Sequence, residues 1–184
     1  MVGLTAGNYV DKMQERHNCR LSALERSAYV QATTIVMKTT QACDFKDLHG
    51  ILMSHDPVVA GKYRESDVLD SYTCEVKKFP RPTSITQLIG DVWQEYEQML
   101  GEKSSDLSTI ELKLEIWRIA AKLRCIRPFR KGSARLSFLL QGQMNTAQGF
   151  DFLCKEFDIE TFRRYREWYQ AENSQFYGRS RGAI

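Results

Sequence analysis

The sequence lacks the features by which membrane proteins and nucleic-acid-binding proteins are most easily identified. It has no run of about 20 apolar residues, which is the length that a transmembrane helix needs. Its 26 Lys and Arg residues nearly balance its 23 Asp and Glu residues, so the formal net charge is only +3. Nucleic-acid-binding domains usually carry a strong basic excess. The composition therefore predicts neither a membrane segment nor a nucleic-acid partner.

The first residues also lack a charged leader followed by an apolar run, the pattern that is typical of a secretory signal. The 184-residue chain is 42% hydrophobic and 27% charged, which favours one globular domain. We therefore expect a cytoplasmic protein. Delivery into the cytoplasm of another cell, as a toxin or effector, is an alternative that the sequence leaves open.

The cysteines form no pattern that is typical of a disulfide framework or a metal site. There are five, an odd number, and none belongs to a Cys-x-x-Cys pair. His17 and Cys19 lie close together, but two ligands are fewer than the four of a structural zinc site. We predict no metal site, and we expect the cysteines to act as small core residues in a reducing compartment.

The spacing of apolar residues predicts a mostly helical chain. Ser-x-x-Glu capping boxes mark two helix starts, at Ser22 and Ser108. The predicted helices cover residues 21–42 and 45–53, one from 83 or 84 to 101, one from 108 to about 123, one from 132 to about 148, and 158–176. Between the second and third, β-forming residues around 62–64 and 72–74 predict one β-hairpin.

A basic turn between two of these helices is the segment with the clearest chemistry. Residues 124–135 carry five cations: Arg124, Arg127, Arg130, Lys131 and Arg135. A helix that starts near Gly132 presents free backbone N–H groups, which favour an anion such as phosphate. Gly132, Ser133 and Ala134 are small, so a phosphate can approach the backbone closely. A solvated basic turn is the competing interpretation from chemistry alone.

Residues 126–135 resemble the signature of the Fic family, His-Pro-Phe-x-(Asp/Glu)-Gly-Asn-Gly-Arg. Pro128, Phe129, Gly132 and Arg135 match without a gap. Upstream, Leu48-His49 and residues 59–64 (Val-Ala-Gly-Lys-Tyr-Arg) resemble the family's leucine–histidine helix and its Trp-Ala-Gly-x-x-Arg segment.

The resemblance covers residues 21–169 and implies a mostly α fold, a Fic-like helical bundle with one β-hairpin flap. We expect a Fic-like domain over residues 21–177, after an N-terminal extension (1–20) and before a flexible tail (178–184).

Residue by residue, the resemblance implies a departure from ordinary activity, which in the family is transfer of AMP from ATP to a protein hydroxyl. Arg127 stands in place of the histidine that acts as general base, and a guanidinium accepts no proton at neutral pH. Lys131 replaces the acidic residue that holds magnesium, and would repel a divalent cation. Ser133 replaces a phosphate-contacting asparagine and Ala134 replaces a glycine, whereas Arg135 keeps the final arginine, which contacts the terminal phosphates.

We therefore assign no catalytic residue: the signature positions are Arg127, Lys131 and Ser133, and these side chains do not take the roles that the family gives those positions. We predict instead an anion site that needs no metal. The residues of that site are Arg127, Arg130, Lys131, Gly132, Ser133, Ala134 and Arg135. The ligand is a nucleotide or phosphate bound without magnesium, or the protein acts through a protein partner that docks at the flap, residues 59–80, by β-augmentation.

A second function class is an unconventional transferase that moves a nucleotide- or phosphate-containing group with another base. His49, His55 and Asp56 are the nearest candidates for that base. A nucleic-acid binder that uses the basic turn and the tail is a third class, which the low net charge disfavours.

The family also carries an inhibitory motif, (Ser/Thr)-x-x-x-Glu-(Gly/Asn), whose glutamate pairs with the last arginine of the signature. No complete copy is present here. Four residues before Glu25 lies Leu21, and four residues before Glu172 lies Trp168, where the motif needs a hydroxyl residue. The sequence therefore assigns no inhibitory glutamate.

Overall fold

The computed structural model describes residues 5–16, 20–68, 79–101, 107–153 and 158–177. Within these ranges the chain is mostly helical, as predicted. The α-helices are α1 (Ala6–Arg16), α2 (Ala23–Lys38), α3 (Phe45–Leu52), α4 (Ile85–Gly101), α5 (Thr109–Ile126), α6 (Ser133–Ala147) and α7 (Ile159–Glu172). Two short 3₁₀ helices cover Pro82–Ser84 and Ser174–Phe176. In this described part of the chain, each helix is too short or too polar to cross a membrane.

Local capping fixes most helix starts, and two capping boxes are confirmed. Ser22 and Glu25 close one at the start of α2, and Ser108 and Glu111 close the other at the start of α5. The helix predicted from residue 21 to 42 is shorter than expected, because Ser22 is the N-cap and residues 39–44 leave the helix. There the side-chain amide of Gln143 donates to the carbonyls of Thr39 and Gln41, at 3.1 and 2.9 Å.

Helix α6 lies at the centre of the bundle and packs against α2, α3, α4 and α5. Leu136, Leu139, Leu140 and Met144 are buried in the core. Gly142 lets the ring of Phe152 approach, because a Cβ there would lie 2.3 Å from that ring. This central position holds the N-terminus of α6, where the signature-like segment ends, in a fixed place.

Helix α1 lies in the predicted N-terminal extension, where the sequence analysis assigned no helix. Tyr9, Val10 and Met13 are buried in the common core, and the ring of Tyr9 meets that of Phe152 edge-on, with centroids 4.6 Å apart. Arg26 of α2 forms an ion pair with Asp11 at 2.9 Å. Residues 6–16 therefore pack as part of the same bundle.

The second strand and most of the turn of the predicted hairpin fall on residues 69–78, which lie outside the described residues, so the flap stays a prediction. Its two described ends are both held. Tyr63 forms an isolated antiparallel bridge with Phe129, and Pro80 forms one with Tyr177. The first bridge ties the incoming end of this segment to the loop that precedes α6.

Candidate functional site

The signature-like segment forms a tight loop between two helices. Helix α5 ends at Ile126, and Arg127 follows in the left-handed region with φ 47° and ψ 63°. Its backbone N–H donates to the carbonyl of Leu123 at 3.0 Å, which closes the last turn of α5. A non-glycine residue in this region costs on the order of 1–3 kcal/mol, so the surrounding contacts must hold it. At the other end of the loop Gly132, at φ 79°, is the N-cap of α6.

Arg64 holds this loop through hydrogen bonds to backbone carbonyls. Its guanidinium is buried and donates to backbone carbonyls: Nε bonds the carbonyl of Arg127 at 2.8 Å, and Nη2 bonds that of Pro80. Its backbone N–H donates to the carbonyl of Pro128 at 2.9 Å. Burial lowers the pKa of the Arg64 guanidinium. The arginine of the segment 59–64 therefore ties the loop to the far end of the predicted flap.

His49 is part of the loop's support. Its ring stacks on Phe129, with centroids 3.7 Å apart and planes 7° from parallel. The backbone N–H of Gly61 donates to Nδ1 at 3.0 Å, so Nε2 carries the proton and donates to the carbonyl of Lys131 at 2.9 Å. Burial lowers the pKa of His49, which keeps the ring neutral. Both ring nitrogens are engaged, so the contacts of His49 are those of a positioning residue.

Gly132 and Ser133 shape the turn into α6. A Cβ on Gly132 would lie 2.9 Å from the sulfur of Met53 and 3.0 Å from Nε2 of His49, so the close approach needs glycine as well as the positive φ. The hydroxyl of Ser133 is buried; it donates to the carbonyl of Phe129 at 3.1 Å and accepts from its N–H at 3.2 Å. The side chain predicted to contact phosphate closes the loop instead.

Arg127 has an aromatic neighbour. Its guanidinium carbon lies 5.0 Å from the ring centroid of Phe79, and that of Arg166 on α7 lies 4.8 Å from the same centroid. Cation–π contacts of this kind favour a fixed, charged guanidinium. The side chain at the position of the family's general base therefore packs on Phe79, near the C-terminal end of the predicted flap.

Two further cations of the signature-like segment, Lys131 and Arg135, each pair with a carboxylate from elsewhere in the chain. Nζ of Lys131 lies 2.8 Å from Oδ2 of Asp56, in the turn after α3. Both terminal nitrogens of Arg135 lie 3.1 Å from Oε1 of Glu25, at the start of α2. Nε2 of His55 lies 3.9 Å from the same oxygen. The structure thus places Glu25, His55 and Asp56 beside the predicted anion site.

These contacts act on the acidity of both carboxyl groups. The hydrogen bond from Lys131 lowers the pKa of Asp56. The backbone N–H of Ser22 is the largest cause of the lowered pKa of Glu25, and Arg135 adds to it. Both groups therefore stay ionised below their ordinary range.

Glu25 is the functional candidate that the sequence analysis set aside. It lacks the hydroxyl residue four positions earlier, yet the structure pairs it with Arg135, the last arginine of the segment. The available signal was Ser22, whose capping box with Glu25 fixes the carboxylate at the first turn of α2. Glu25 and Arg135 lie 110 positions apart in the sequence, so no local pattern indicates that they pair.

The N-terminus of α6 differs in its capping from those of α2, α3, α5 and α7. Ser or Asp side chains cap these four helices, whereas no side chain caps α6. An α-helix leaves its first N–H groups without acceptors inside the helix, and these groups favour negative charge. Ala134 and Arg130 are exposed beside this end. Backbone N–H groups and cations therefore lie together at this end of α6.

The residues present do not fit the magnesium ion that the resemblance implies. An ammonium group, that of Lys131, stands at the position of the acidic ligand, and its ion pair holds Asp56. Among the described residues there is no group of three or more His, Cys, Asp or Glu side chains that could hold a metal ion. We therefore derive no step through a metal.

Comparison with known proteins identifies the class of fold. No protein-family profile and no curated protein matches the sequence. Among solved structures, a Fic domain containing signaling protein from Bacteroides thetaiotaomicron matches 88% of this chain, with a TM-score of 0.58 and 16% sequence identity. A Fic family protein from Desulfovibrio desulfuricans matches 92% of it, with a TM-score of 0.54 and 15% identity.

The chain therefore has a mostly helical, Fic-like fold, which confirms the helical bundle that the signature-like segment implied, while the β-hairpin flap stays a prediction. It spans 66% and 55% of the length of these two proteins. At this level of identity the similarity shows the fold alone, so the activity must be argued from the site.

Proposed function

We propose that this Fic-fold protein binds a phosphate-sized anion at the N-terminus of α6 without a divalent metal, and does not carry out conventional AMP transfer. The observation that carries the proposal is the pairing of Lys131 and Arg135 with carboxylates beside a helix end that no side chain caps. Both cations already attract negative groups there. A nucleotide or free phosphate is the ligand class with that chemistry.

The charges near the helix end support the proposal. Arg130, Lys131 and Arg135 supply three positive charges, and Glu25 and Asp56 supply two negative ones. One net positive charge remains, and the partial positive charge of the helix N-terminus adds to it. An entering dianion can exchange with either carboxylate without leaving a buried cation unpaired, because Lys131 and Arg135 are both partly exposed.

The contacts of the candidate bases among the described residues argue against the transferase alternative. Arg127 packs on Phe79 and does not accept a proton. Both nitrogens of His49 are engaged. In His55, Nδ1 is buried without a hydrogen-bond partner and Nε2 faces Glu25, so neither nitrogen is presented to a ligand. Asp56, the third candidate, is held by Lys131.

A protein partner at the flap, residues 59–80, is a second candidate. The bridge between Tyr63 and Phe129 favours it, because a strand that paired with the flap would lie close to the loop before α6. Binding of such a partner and of an anion would then influence each other.

Calorimetry with phosphate, ADP and ATP tests the proposal, first with a chelator and then with magnesium. We expect binding that magnesium does not strengthen. A charge-assisted hydrogen bond contributes about 1.5–3 kcal/mol, so Arg135→Ala should weaken the binding of the anion by about tenfold or more.

The matched control is Arg163→Ala, which removes an exposed arginine that is ion-paired with Glu160 on α7. This variant should bind as the wild type does. Binding that requires magnesium, or AMP transfer to protein with labelled ATP, would contradict the proposal.

A further inference from the structure

We infer that Asp56 is a built-in competitor for the anion site: its carboxylate occupies Lys131, and an incoming anion must displace it. This inference rests on the proposed function and concerns the regulation of the same site. Its basis is the 2.8 Å contact between Oδ2 of Asp56 and Nζ of Lys131, the residue directly before the N-cap of α6.

The turn after α3 holds Asp56 in place. Its N–H donates to the carbonyl of Met53 at 2.8 Å, and its carbonyl accepts from the N–H groups of Val59 and Ala60, both at 3.1 Å. The backbone N–H of Val58 is one of the groups that lower the pKa of its carboxyl group. The carboxylate is therefore presented to Lys131 by rigid backbone, which lowers the entropic cost of the contact.

In this contact, the side chain of Lys131 is the one that can move away easily. Its side chain is 61% exposed, whereas that of Asp56 is 24% exposed. Exposed ion pairs add little to folding stability, because water screens them and the long side chain must be ordered. A dianion that also reaches the N–H groups of α6 has more charge and more donors available than one carboxylate has. The contact therefore acts on ligand affinity more than on the fold.

The two carboxylates at the site are held differently. Glu25 belongs to a capping box. Its Oε1 lies 3.1 Å from the guanidinium of Arg135 and 3.9 Å from Nε2 of His55. Displacing it disturbs the start of α2. Asp56 meets one flexible ammonium group, so Lys131 can leave it while the turn stays intact. We therefore place the first step of anion entry at Asp56 and Lys131.

Asp56→Asn tests the inference with sulfate as the probe, since sulfate remains a dianion through the neutral pH range. The turn is kept, because its hydrogen bonds run through the backbone of residue 56, which the substitution does not change. Removal of the competing charge should raise the affinity for sulfate by about twofold to fivefold, the range that corresponds to an exposed ion pair. In a Lys131→Gln background the same substitution should give no gain.

The matched control is Asp151→Asn. The carboxylate of Asp151 accepts from the N–H of Leu153 at 2.8 Å in a similar turn, beyond the opposite end of α6. The Asp151→Asn substitution removes the same charge as Asp56→Asn does, but at a distance of about 20 Å or more from the site along α6. The affinity for sulfate should not change. Asp56→Ser, which also leaves the backbone hydrogen bonds of the turn unchanged, gives a second variant, and thermal unfolding shows whether each variant is folded.

The outcomes separate this inference from the proposed function. If the wild type binds sulfate and Asp56→Asn and Asp56→Ser bind it equally well, the inference is wrong and the anion site stands. An equal gain in Asp151→Asn would mean a general charge effect, which also overturns it. If the wild type and every folded variant bind no sulfate, phosphate or nucleotide, the proposed function fails and the inference fails with it.

Discussion

The guanidinium of Arg135 lies 3.1 Å from the carboxylate of Glu25, a residue 110 positions earlier in the chain. The contact joins the first turn of α2 to the first turn of α6. It brings a negative charge to the place where the signature-like segment presents its last cation. The anion site that we propose therefore has a carboxylate directly beside its last arginine.

Glu25→Gln should therefore strengthen the binding of phosphate or a nucleotide, by about threefold to tenfold if the pair contributes about 1 kcal/mol. Glutamine can still complete the capping box, so the cost to the start of α2 is small. Calorimetry at constant ionic strength measures the change. The reason for the gain is that the guanidinium of Arg135 no longer has an ionised internal partner.

Glu111→Gln is the control for that experiment. Glu111 occupies the same position in the capping box of α5 as Glu25 does in that of α2. Its substitution makes the same change to a helix start but leaves Arg135 untouched. Equal effects of the two substitutions on anion binding would show that the contact with Arg135 does not limit access.

Arg64→Lys should destabilise the protein although it keeps the charge. One ammonium group cannot take over the bonds that the guanidinium makes to the carbonyls of Arg127, Ser66 and Pro80. Leaving a buried acceptor unpaired costs about 1–3 kcal/mol, so the free energy of unfolding should fall by at least about 2 kcal/mol. Urea denaturation measures it.

The exposed Arg81 supplies the comparison for Arg64→Lys. Arg81→Lys should change the free energy of unfolding by less than about 0.5 kcal/mol. A similar small change for Arg64→Lys would mean that its buried bonds are replaced by water, and the loop would then not depend on them.

Local signals explain which parts of the fold were predictable. The capping boxes at Ser22 and Ser108 and the helical spacing of apolar residues fixed several helices to within a few residues. Helix α1 was missed although Ala6, Tyr9 and Met13 have helical spacing, because a helix of 11 residues is marginal without its contacts to α2.

Long-range contacts explain what could not be predicted at the site. The segment with Lys131 and Arg135 was identified, and so was its place before a helix. Their partners were not, because Asp56 and Glu25 lie 75 and 110 positions away. Sequence chemistry predicts that cations attract an anion, but the fold decides which carboxylate is near. This is why the cations were expected to be available to a ligand.

Two helical glycines should respond oppositely to alanine. In Gly142→Ala the new methyl group would lie 2.3 Å from the ring of Phe152. Overpacking of this kind costs about 1–3 kcal/mol. At Gly90 of α4 a Cβ meets nothing within 4 Å, so Gly90→Ala should stabilise by about 0.5–1 kcal/mol, the helix propensity difference. Melting temperatures of the two variants check both signs, and a stabilising Gly142→Ala would contradict the packing at the centre of the bundle.

The stability of the fold should depend on pH through His49. Burial lowers its pKa in the folded protein from the ordinary value of 6.5. The unfolded chain then binds more protons than the folded one in the interval between the lowered pKa and 6.5. The free energy of unfolding is therefore fully retained above that interval and decreases as the pH falls through it. The protonated ring would also lose Nδ1 as the acceptor for the N–H of Gly61.

Urea denaturation at about pH 8 and about pH 5.5 measures this dependence, and His49→Gln should reduce it. The substitution itself should cost about 2 kcal/mol or more at the higher pH, because the stack on Phe129 and one of the two ring hydrogen bonds are lost. The difference between the two pH values should be smaller in the variant than in the wild type. His55→Gln is the control, since His55 has no hydrogen bond through Nδ1. If this control, and not His49→Gln, reduced the pH dependence, the assignment of that dependence to His49 would be wrong.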